Sequence, residues 1–473
     1  MKRPIRIGWF LGLAVFLWTT VAAASGFFVA RFGGEHGHPT TDNLTSMYYN
    51  PAGLSLGTGT RLYLDGNFAW RTFQYERPVE AIDHILEEGE NAPGTPAGAV
   101  GANSGTASLN NKLASPFIGV ASDFGVKGLG VGLSLFAPFG GSSVYDKQDA
   151  IEGFPGAQDG PQRWWAIEGT IKSVYITGTA AYHIPDIRLS LGLSVNMVKS
   201  EVFTARARNA SGHDHLSAND RGDLLEGRAL LDVAGTELSV GLGVIWEPVE
   251  KLWFGLSWQS APNFGESELE GNARLVIGNG DETQPKVKFF QSLPDVLHFG
   301  TRWRSSDKLE LRLFGNYIRW SKFTEQCALD LDSPETCEGN PLFLAPREWE
   351  DGFAIRAGAS YWLNDDVELV AGGGFDTNSV PDRTLEPALF DTDKFTASAG
   401  ARLEFMDDAL ALGLTYTQVI YTERDVKPRG RTEDMNETDI DQFGFRQGQR
   451  QPDSSGVYTQ AIGVLNINLE YNF

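Results

Sequence analysis

Leu465, Ile467, Leu469, Tyr471 and Phe473 alternate with Asn466, Asn468, Glu470 and Asn472. Successive side chains on a strand point to opposite faces, so this segment reads as a strand with one apolar and one polar face. The same period of two runs through Leu189, Leu191, Leu193, Val195 and Met197, and through Leu238, Val240, Leu242, Val244 and Trp246. It recurs in Leu309, Leu311 and Leu313, and in Leu410, Leu412, Leu414 and Tyr416. After residue 24 no apolar run approaches the ~18–20 residues of a spanning helix. A soluble sandwich would alternate as well, so periodicity alone does not choose between sandwich and membrane barrel.

The connections choose. Six are short and turn-like: Gly125–Gly128, Ile184–Ile187, Glu247–Lys251, Arg304–Lys308, Asn364–Asp366 and Met406–Asp408. Between them lie long polar or Gly/Pro-rich stretches near 77–110, 139–163, 204–234, 262–286, 324–350, 378–392 and 424–456. Short turn, long loop, short turn is the rhythm of an outer-membrane barrel, with turns in the periplasm and loops outside. The fold expected is all-β, a fourteen-stranded antiparallel transmembrane β-barrel with an N-terminal hatch. Strands are expected to begin near 60, 111, 128, 164, 187, 236, 251, 287, 307, 352, 366, 393, 409 and 457. Several exceed the ~9–11 residues that cross hydrocarbon, so the wall should rise above the membrane. Trp164, Trp165, Trp246, Trp253, Trp258, Trp303, Trp320 and Trp362 lie near strand ends and suit interfacial girdles.

Residues 1–24 carry Lys2, Arg3 and Arg6, an apolar run from Ile7 to Val21 and then Ala22-Ala23-Ala24, the pattern of a cleaved secretory leader. The expected organisation is leader 1–24, hatch 25–59 and barrel 60–473. The formal net charge of −22 becomes −25 without those three bases, which argues against a nucleic-acid partner. With 54 Gly in 473 residues and 11% aromatics, the composition suits strands that curve and close.

Residues 25–59 are neither strand-like nor long enough for a core of their own. They hold Gly26, Phe27, Phe28, Phe32, Tyr48-Tyr49 and Asn50-Pro51-Ala52-Gly53-Leu54. A compact aromatic lead-in to a fourteen-stranded barrel reads as a plug for a lumen wider than wall side chains can fill. Gly26-Phe27 at the expected mature start and Asn50-Pro51-Ala52 before the barrel resemble the FadL-type long-chain fatty acid transporter family. So do Ser292-Leu293-Pro294-Asp295, the run from Leu309 to Trp320-Ser321-Lys322-Phe323, and Gly374-Phe375-Asp376-Thr377-Asn378-Ser379-Val380-Pro381, in that order. The resemblance implies passive uptake of long-chain fatty acids or similar hydrophobic molecules. Extracellular loops would capture the ligand, an apolar interior pocket would hold it, and movement of the hatch would release it. It places Gly26, Phe27 and Phe28 by the pocket, with Phe32, Asn50, Pro51 and Ala52 in the hatch. It also implies a kinked third strand opening toward the membrane. Here that strand runs through Leu135-Phe136-Ala137-Pro138-Phe139-Gly140-Gly141, where Pro138 cannot donate a ladder hydrogen bond and Gly140 tolerates a bend; Pro138 merely ending the strand is the alternative. One departure is that the third loop is markedly polar and the helix-like piece Val79–Leu86 lies in the first loop, so no polar pocket residue is carried over.

Other constellations point elsewhere more weakly. Gly53-Leu54-Ser55-Leu56-Gly57 matches a nucleophile-elbow pattern, but that elbow needs a strand-turn-helix setting and partners. His213-Asp214-His215 has too few neighbours for a structural metal site. Acidic loop groups such as Asp146, Asp149 and Glu152 read as solvated rather than as calcium sites. Cys327 and Cys337, ten apart in one external loop of an exported chain, read as a disulfide. No cofactor, metal or catalytic residue is expected, and no enzyme. The expected partners are the hydrophobic ligand, outer-membrane lipid and lipopolysaccharide, and the assembly machinery that the terminal Phe473 resembles a signal for. A monomer is expected. The rival function is a general porin for hydrophilic solutes, with an outer-membrane enzyme the third possibility.

Overall fold

Alternation at every level builds one closed wall. The computed structural model describes residues 31–82, 98–209, 214, 216, 224–277, 281–332, 336–339, 341–428 and 451–473. Twenty strand segments form a single sheet and align end to end as fourteen staves. These are β1 (Thr60–Arg77), β2 (Gly105–Ser122), β3 (Leu129–Val144), β4 (Glu168–Ile184), β5 (Leu189–Arg208) and β6 (Gly227–Val249). Four interrupted staves follow: β7 (Leu252–Gln259, Ser267–Ile277), β8 (Asp281–Thr283, Lys286–Gln291, Val296–Ser306), β9 (Leu309–Ile318, Glu325–Asp330) and β10 (Phe343–Pro346, Gly352–Asn364). The wall is completed by β11 (Val367–Asp376), β12 (Lys394–Phe405), β13 (Leu410–Tyr421, Arg424–Val426) and β14 (Gly456–Asn472). All pairings are antiparallel, and β14 pairs with β1 from Arg61↔Asn472 to Glu76↔Val457, so the sheet has no edge at closure.

The outward positions of these strands are the apolar ones. Phe68, Trp70, Leu193, Val195, Leu242, Phe254, Leu313, Ile355, Leu414 and Ile467 are all exposed. An exposed apolar band around the whole wall is what a bilayer demands, because lipid supplies no hydrogen-bond partners and closure satisfies the backbone internally. The chain is a multi-strand barrel of the outer membrane.

The wall is taller than the sequence suggested. Ser267–Ile277 and Glu325–Asp330 are strand where loops near 262–286 and 324–350 were expected, and β6 begins at Gly227 rather than near 236. These upper pieces stand clear of the membrane. Their outward residues are charged, as in the Lys288–Glu268 pair at 2.7 Å, while Leu269, Val287, Phe289 and Ala328 point inward onto Val202, Leu231 and Val233. Outside lipid neither face has to advertise a membrane, and the alternation weakens accordingly. Five of the expected girdle residues are also reassigned. Trp164, Trp165 and Trp320 sit in or beside single 3₁₀ turns, not on outward strand positions, and are buried inside. Trp253 and Trp362 stand on strands but on the inward side, opposite Arg302 and Glu368, because the alternation puts Phe254, Tyr361 and Leu363 outward; Trp246 and Trp303 do face outward.

Residues 31–59 lie inside the lumen. A short helix, α1 (Ser46–Tyr49), is followed by a 3₁₀ turn over Pro51–Leu56. Pro51 starts that turn, where the missing N–H costs nothing, and the Asn50 side chain accepts from Ala52 N at 3.1 Å. The same Asn50 donates through Nδ2 to Pro39 O at 2.8 Å and to Val244 O of β6 at 3.0 Å. The wall accommodates this close approach with glycine: a β-carbon on Gly192 would strike Pro51 and Ala52, and one on Gly243 would strike Asn50. Polar contacts add to the pin, with His36 Nε2 3.0 Å from Glu368 and Arg302 donating to Asp42 at 3.1 Å.

Candidate functional site: an apolar cavity with guanidinium groups beside an incomplete seam

Between β2 and β3 the ladder stops early. It runs from Ser122↔Val131 to Phe117↔Phe136, six pairs, and above that β2 pairs only with β1 and β3 only with β4. A proline stands on each strand just past the last pair, Pro116 one residue beyond it on β2 and Pro138 two residues beyond it on β3, and neither has an N–H to give to a ladder. The β3–β4 register also shifts between Phe136 and Phe139. From Phe136 to Gly140 five consecutive residues are buried instead of alternating, because β3 bends into the lumen there. Phe68 and Trp70 of β1 mark the same level on the outside, so the gap opens within the apolar band. Side chains partly replace the missing ladder: Ser115 Oγ donates to Ala137 O (3.2 Å), Asn111 Nδ2 to Ser142 O (2.6 Å) and Arg71 to the same carbonyl (3.4 Å). Backbone contact resumes above, where Asp146 N donates to Ser108 O at 2.9 Å.

Behind the gap lies a cavity with about 870 Å³ of empty space, part of it continuous with solvent. Its lining is mostly apolar: Trp165, Ile171, Val202, Phe203, Leu231, Phe289, Phe343, Trp349, Leu389 and Phe390. Three guanidinium groups break that surface. Arg347 is paired with Glu386 at 2.8 Å. Arg206 lies 4.3 Å above the Phe343 ring, and Arg71 holds Gln460 Oε1 at 2.5 Å with Ser142 O and Ser143 Oγ at the outer limit of bonding. Among the described residues neither Arg206 nor Arg71 has a carboxylate within ion-pair distance, though both are more than nine-tenths buried. A buried cation without an anion costs several kcal/mol, so these two are poised for one.

The floor of the cavity is aromatic. Phe136 stacks on Phe117 (5.4 Å) and on Tyr175 (5.5 Å); Phe139 reaches Tyr175 and, across the lumen, Trp320 (6.4 Å), which meets Trp349 at 4.8 Å. Phe32 of the hatch packs on both residues that end the seam ladder, 5.4 Å from Phe117 and 5.6 Å from Phe136. The inward bend of β3 thus meets the hatch on one side and the opposite wall on the other, and separates cavity from hatch.

Of the residues singled out from sequence, Phe32 packs on Phe136 at this floor and Pro138 and Gly140 follow along the bend of β3, while Asn50, Pro51 and Ala52 lie against β5 and β6. Gly26, Phe27, Phe28, His213, His215 and the second half of the piece Val79–Leu86 fall outside the described residues; its first three form a 3₁₀ turn. Asp214 is committed to Arg77 at 2.7 Å, tying the third loop to the end of β1. Ser55 Oγ donates to Ala52 O at 2.8 Å, as a turn hydroxyl does. Cys327 and Cys337 are joined in a disulfide with Cα atoms 6.0 Å apart, in the upper wall away from the cavity floor. Sequence reasoning did not find Arg71, Arg206 or Pro116. The first two stand at inward strand positions, a signal that needs the register to be known.

The sequence profile of the outer membrane protein transport protein family (OMPP1/FadL/TodX) matches residues 16–449. Against curated proteins the sequence finds no match. Among solved structures, a Pseudomonas aeruginosa FadL homologue superimposes with a TM-score of 0.71 at 17% identity, covering 96% of this chain and 98% of that one. The Ralstonia pickettii toluene transporter TbuX gives 0.60 at 14% identity over 95% and 96% of the two chains. The Pseudomonas putida toluene transporter TodX gives 0.60 at 13% over 96% and 99%.

Proposed function

We propose, for a chain that belongs to the OMPP1/FadL/TodX family of outer membrane transport proteins and so carries hydrophobic compounds across that membrane, that its ligands are long-chain fatty acids. The observation that carries the proposal is Arg206, a buried cation with no carboxylate within ion-pair distance among the described residues, in a mostly apolar cavity whose Glu386 is taken by Arg347. A fatty acid supplies what the site lacks. Its carboxylate makes charge-assisted hydrogen bonds to the guanidinium, and its chain recovers about 0.8 kcal/mol per buried CH₂. A neutral aromatic such as toluene, the compound for which TodX and TbuX are described, would leave the charge uncompensated.

The incomplete seam and the position of the cavity support one route. Ligand enters from the extracellular side into the cavity, meets the aromatic floor above the hatch, and leaves sideways between β2 and β3 into the apolar band. Hatch movement, with Gly26, Phe27 and Phe28 at its leading end, relieves the floor through Phe32. Export uses residues 1–24 as the leader. The hatch and the aromatic floor oppose free flux of sugars, which disfavours the porin alternative.

The test is binding of oleate and oleyl alcohol to the purified wild type and Arg206→Gln, by intrinsic Trp fluorescence. Loss of one charge-assisted contact, about 1.5–3 kcal/mol, should weaken oleate roughly ten- to a hundredfold and leave the alcohol unchanged. Equal affinity of the wild type for both compounds would sink the carboxylate assignment. Sugar flux through liposomes without oleate binding would favour the porin.

A further inference from the structure

Arg71 belongs to two places at once. It lines the cavity, and its guanidinium reaches β3 at the incomplete seam through Ser142 O (3.4 Å) and Ser143 Oγ (3.5 Å). It is therefore one of the side chains that stand in for the missing β2–β3 ladder, with Asn111 holding the same Ser142 carbonyl at 2.6 Å. Its three acceptors, the Gln460 amide included, are all neutral, and the two on β3 are at the edge of hydrogen-bonding distance.

We infer that Arg71 is a charge-operated latch: an anionic headgroup in the cavity draws its guanidinium off β3 and so loosens the upper part of the seam. A carboxylate outcompetes neutral acceptors for a buried guanidinium, because charge-assisted bonds are roughly twice as strong. Both β3 contacts are made by Nη1, so a carboxylate taken end-on across Nη1 and Nη2 turns Nη1 away from both β3 acceptors. Taking the anion leaves the Ser142 carbonyl with the Asn111 donor. The ligand shifts the seam only by its differential affinity for the two states, so a neutral ligand of equal length has no purchase on it. The seam then admits the ligand that has already shown its charge, and stays narrow to uncharged lipid of the surrounding membrane. Arg71 acts here as a positioning residue for β3 as well as a contact of the ligand. The inference rests on the carboxylate reading above, and its experiment separates the two.

The experiment places nitroxide labels at Asn110→Cys on β2 and Val144→Cys on β3, two outward-facing, exposed positions that flank the gap. Cys327 and Cys337 are bonded to each other, so only the introduced thiols react. Distances are read by pulsed electron–electron double resonance on the full chain in phospholipid vesicles, with oleate, oleyl alcohol or neither. In the otherwise unaltered protein oleate should add a longer-distance population, and oleyl alcohol should leave the distribution as it was without ligand. Arg71→Gln should abolish the oleate response, and Asn111→Ala should show the longer distance before any ligand is added. Oleate that binds, by the fluorescence titration, without changing the distance overturns the latch and leaves the carboxylate site standing. An equal response to oleyl alcohol also overturns it. Oleate that fails to bind overturns the carboxylate site itself, and the latch with it. The comparison of the two ligands in the otherwise unaltered protein needs no substitution at Arg71, so it decides even if Arg71→Gln fails to assemble.

Discussion

Two seams of the same wall are built to opposite specifications. Between β5 and β6 all 20 residues of β5 are in register, from Leu189↔Trp246 to Arg208↔Gly227. Between β2 and β3 six pairs form and a proline on each strand ends the ladder. The hatch treats the two sides differently as well. Against β5 and β6 it is pinned by Asn50 and by glycines that admit its backbone, whereas at the β2–β3 seam it offers the Phe32 ring to Phe117 and Phe136. Directional hydrogen bonds fix one side, and non-directional aromatic packing, which can slide, meets the other. A barrel in lipid needs every backbone group satisfied. This one meets that demand with continuous ladder between β5 and β6 and, in part, with the side chains of Ser115, Asn111 and Arg71 at the incomplete seam.

That contrast can be broken by exchanging the rules between seams. Val195→Pro, mid-ladder in β5, should cost about 3 kcal/mol or more and abolish the compact, heat-modifiable band in cold detergent gels. Ala114→Pro, in the gap, should keep that band; equal damage from both would deny that the seams differ. A smaller effect is expected from repairing the gap. Replacing Pro116, Pro138 and Gly140 together by Val should let the ladder extend, lowering uptake of labelled oleate by cells at least severalfold while oleate binding to the purified protein persists. Wild-type uptake would remove the lateral route. The mildest change addresses the fixed side: Asn50→Ala deletes two donated bonds of 2.8 and 3.0 Å, worth about 1 kcal/mol each. The barrel should stay intact, and liposome swelling should show increased leak of small sugars through a loosened hatch. No added leak would mean that the contacts His36–Glu368 and Asp42–Arg302 suffice.

Legibility in the sequence followed the solvent. Where strands divide lipid from lumen, alternation is complete and the elements read true, as in β14 and β5. Above the bilayer the outer side of the wall meets water and carries charge instead of apolar side chains, so Ser267–Ile277 with its Glu268 and Glu270 looks like a polar loop. Arg206 was hidden by the same effect: with Ala205 and Ala207 beside it, it read as loop until the register with Ala229 put it at the cavity. Pro138 stood out because it interrupts an apolar strand, but Pro116 did not, since its meaning comes only from standing where the β2–β3 ladder ends. Trp164 and Trp165 lie just before a strand, and nothing local says that the chain there turns inward.

The pairing of β1 with β14 has a consequence in time. The two partners lie nearly the whole length of the chain apart, yet they share a ladder from Arg61↔Asn472 to Glu76↔Val457. Contacts so distant in sequence are the slowest to form, because loop entropy must be overcome before they return any stability. Every intermediate before that contact has two open sheet edges and an outward greasy surface with no bilayer yet around it. Closure is therefore the committing event of biogenesis. Until β14 arrives the chain depends on whatever escorts it, and once β14 docks there is no free strand left from which to begin unzipping.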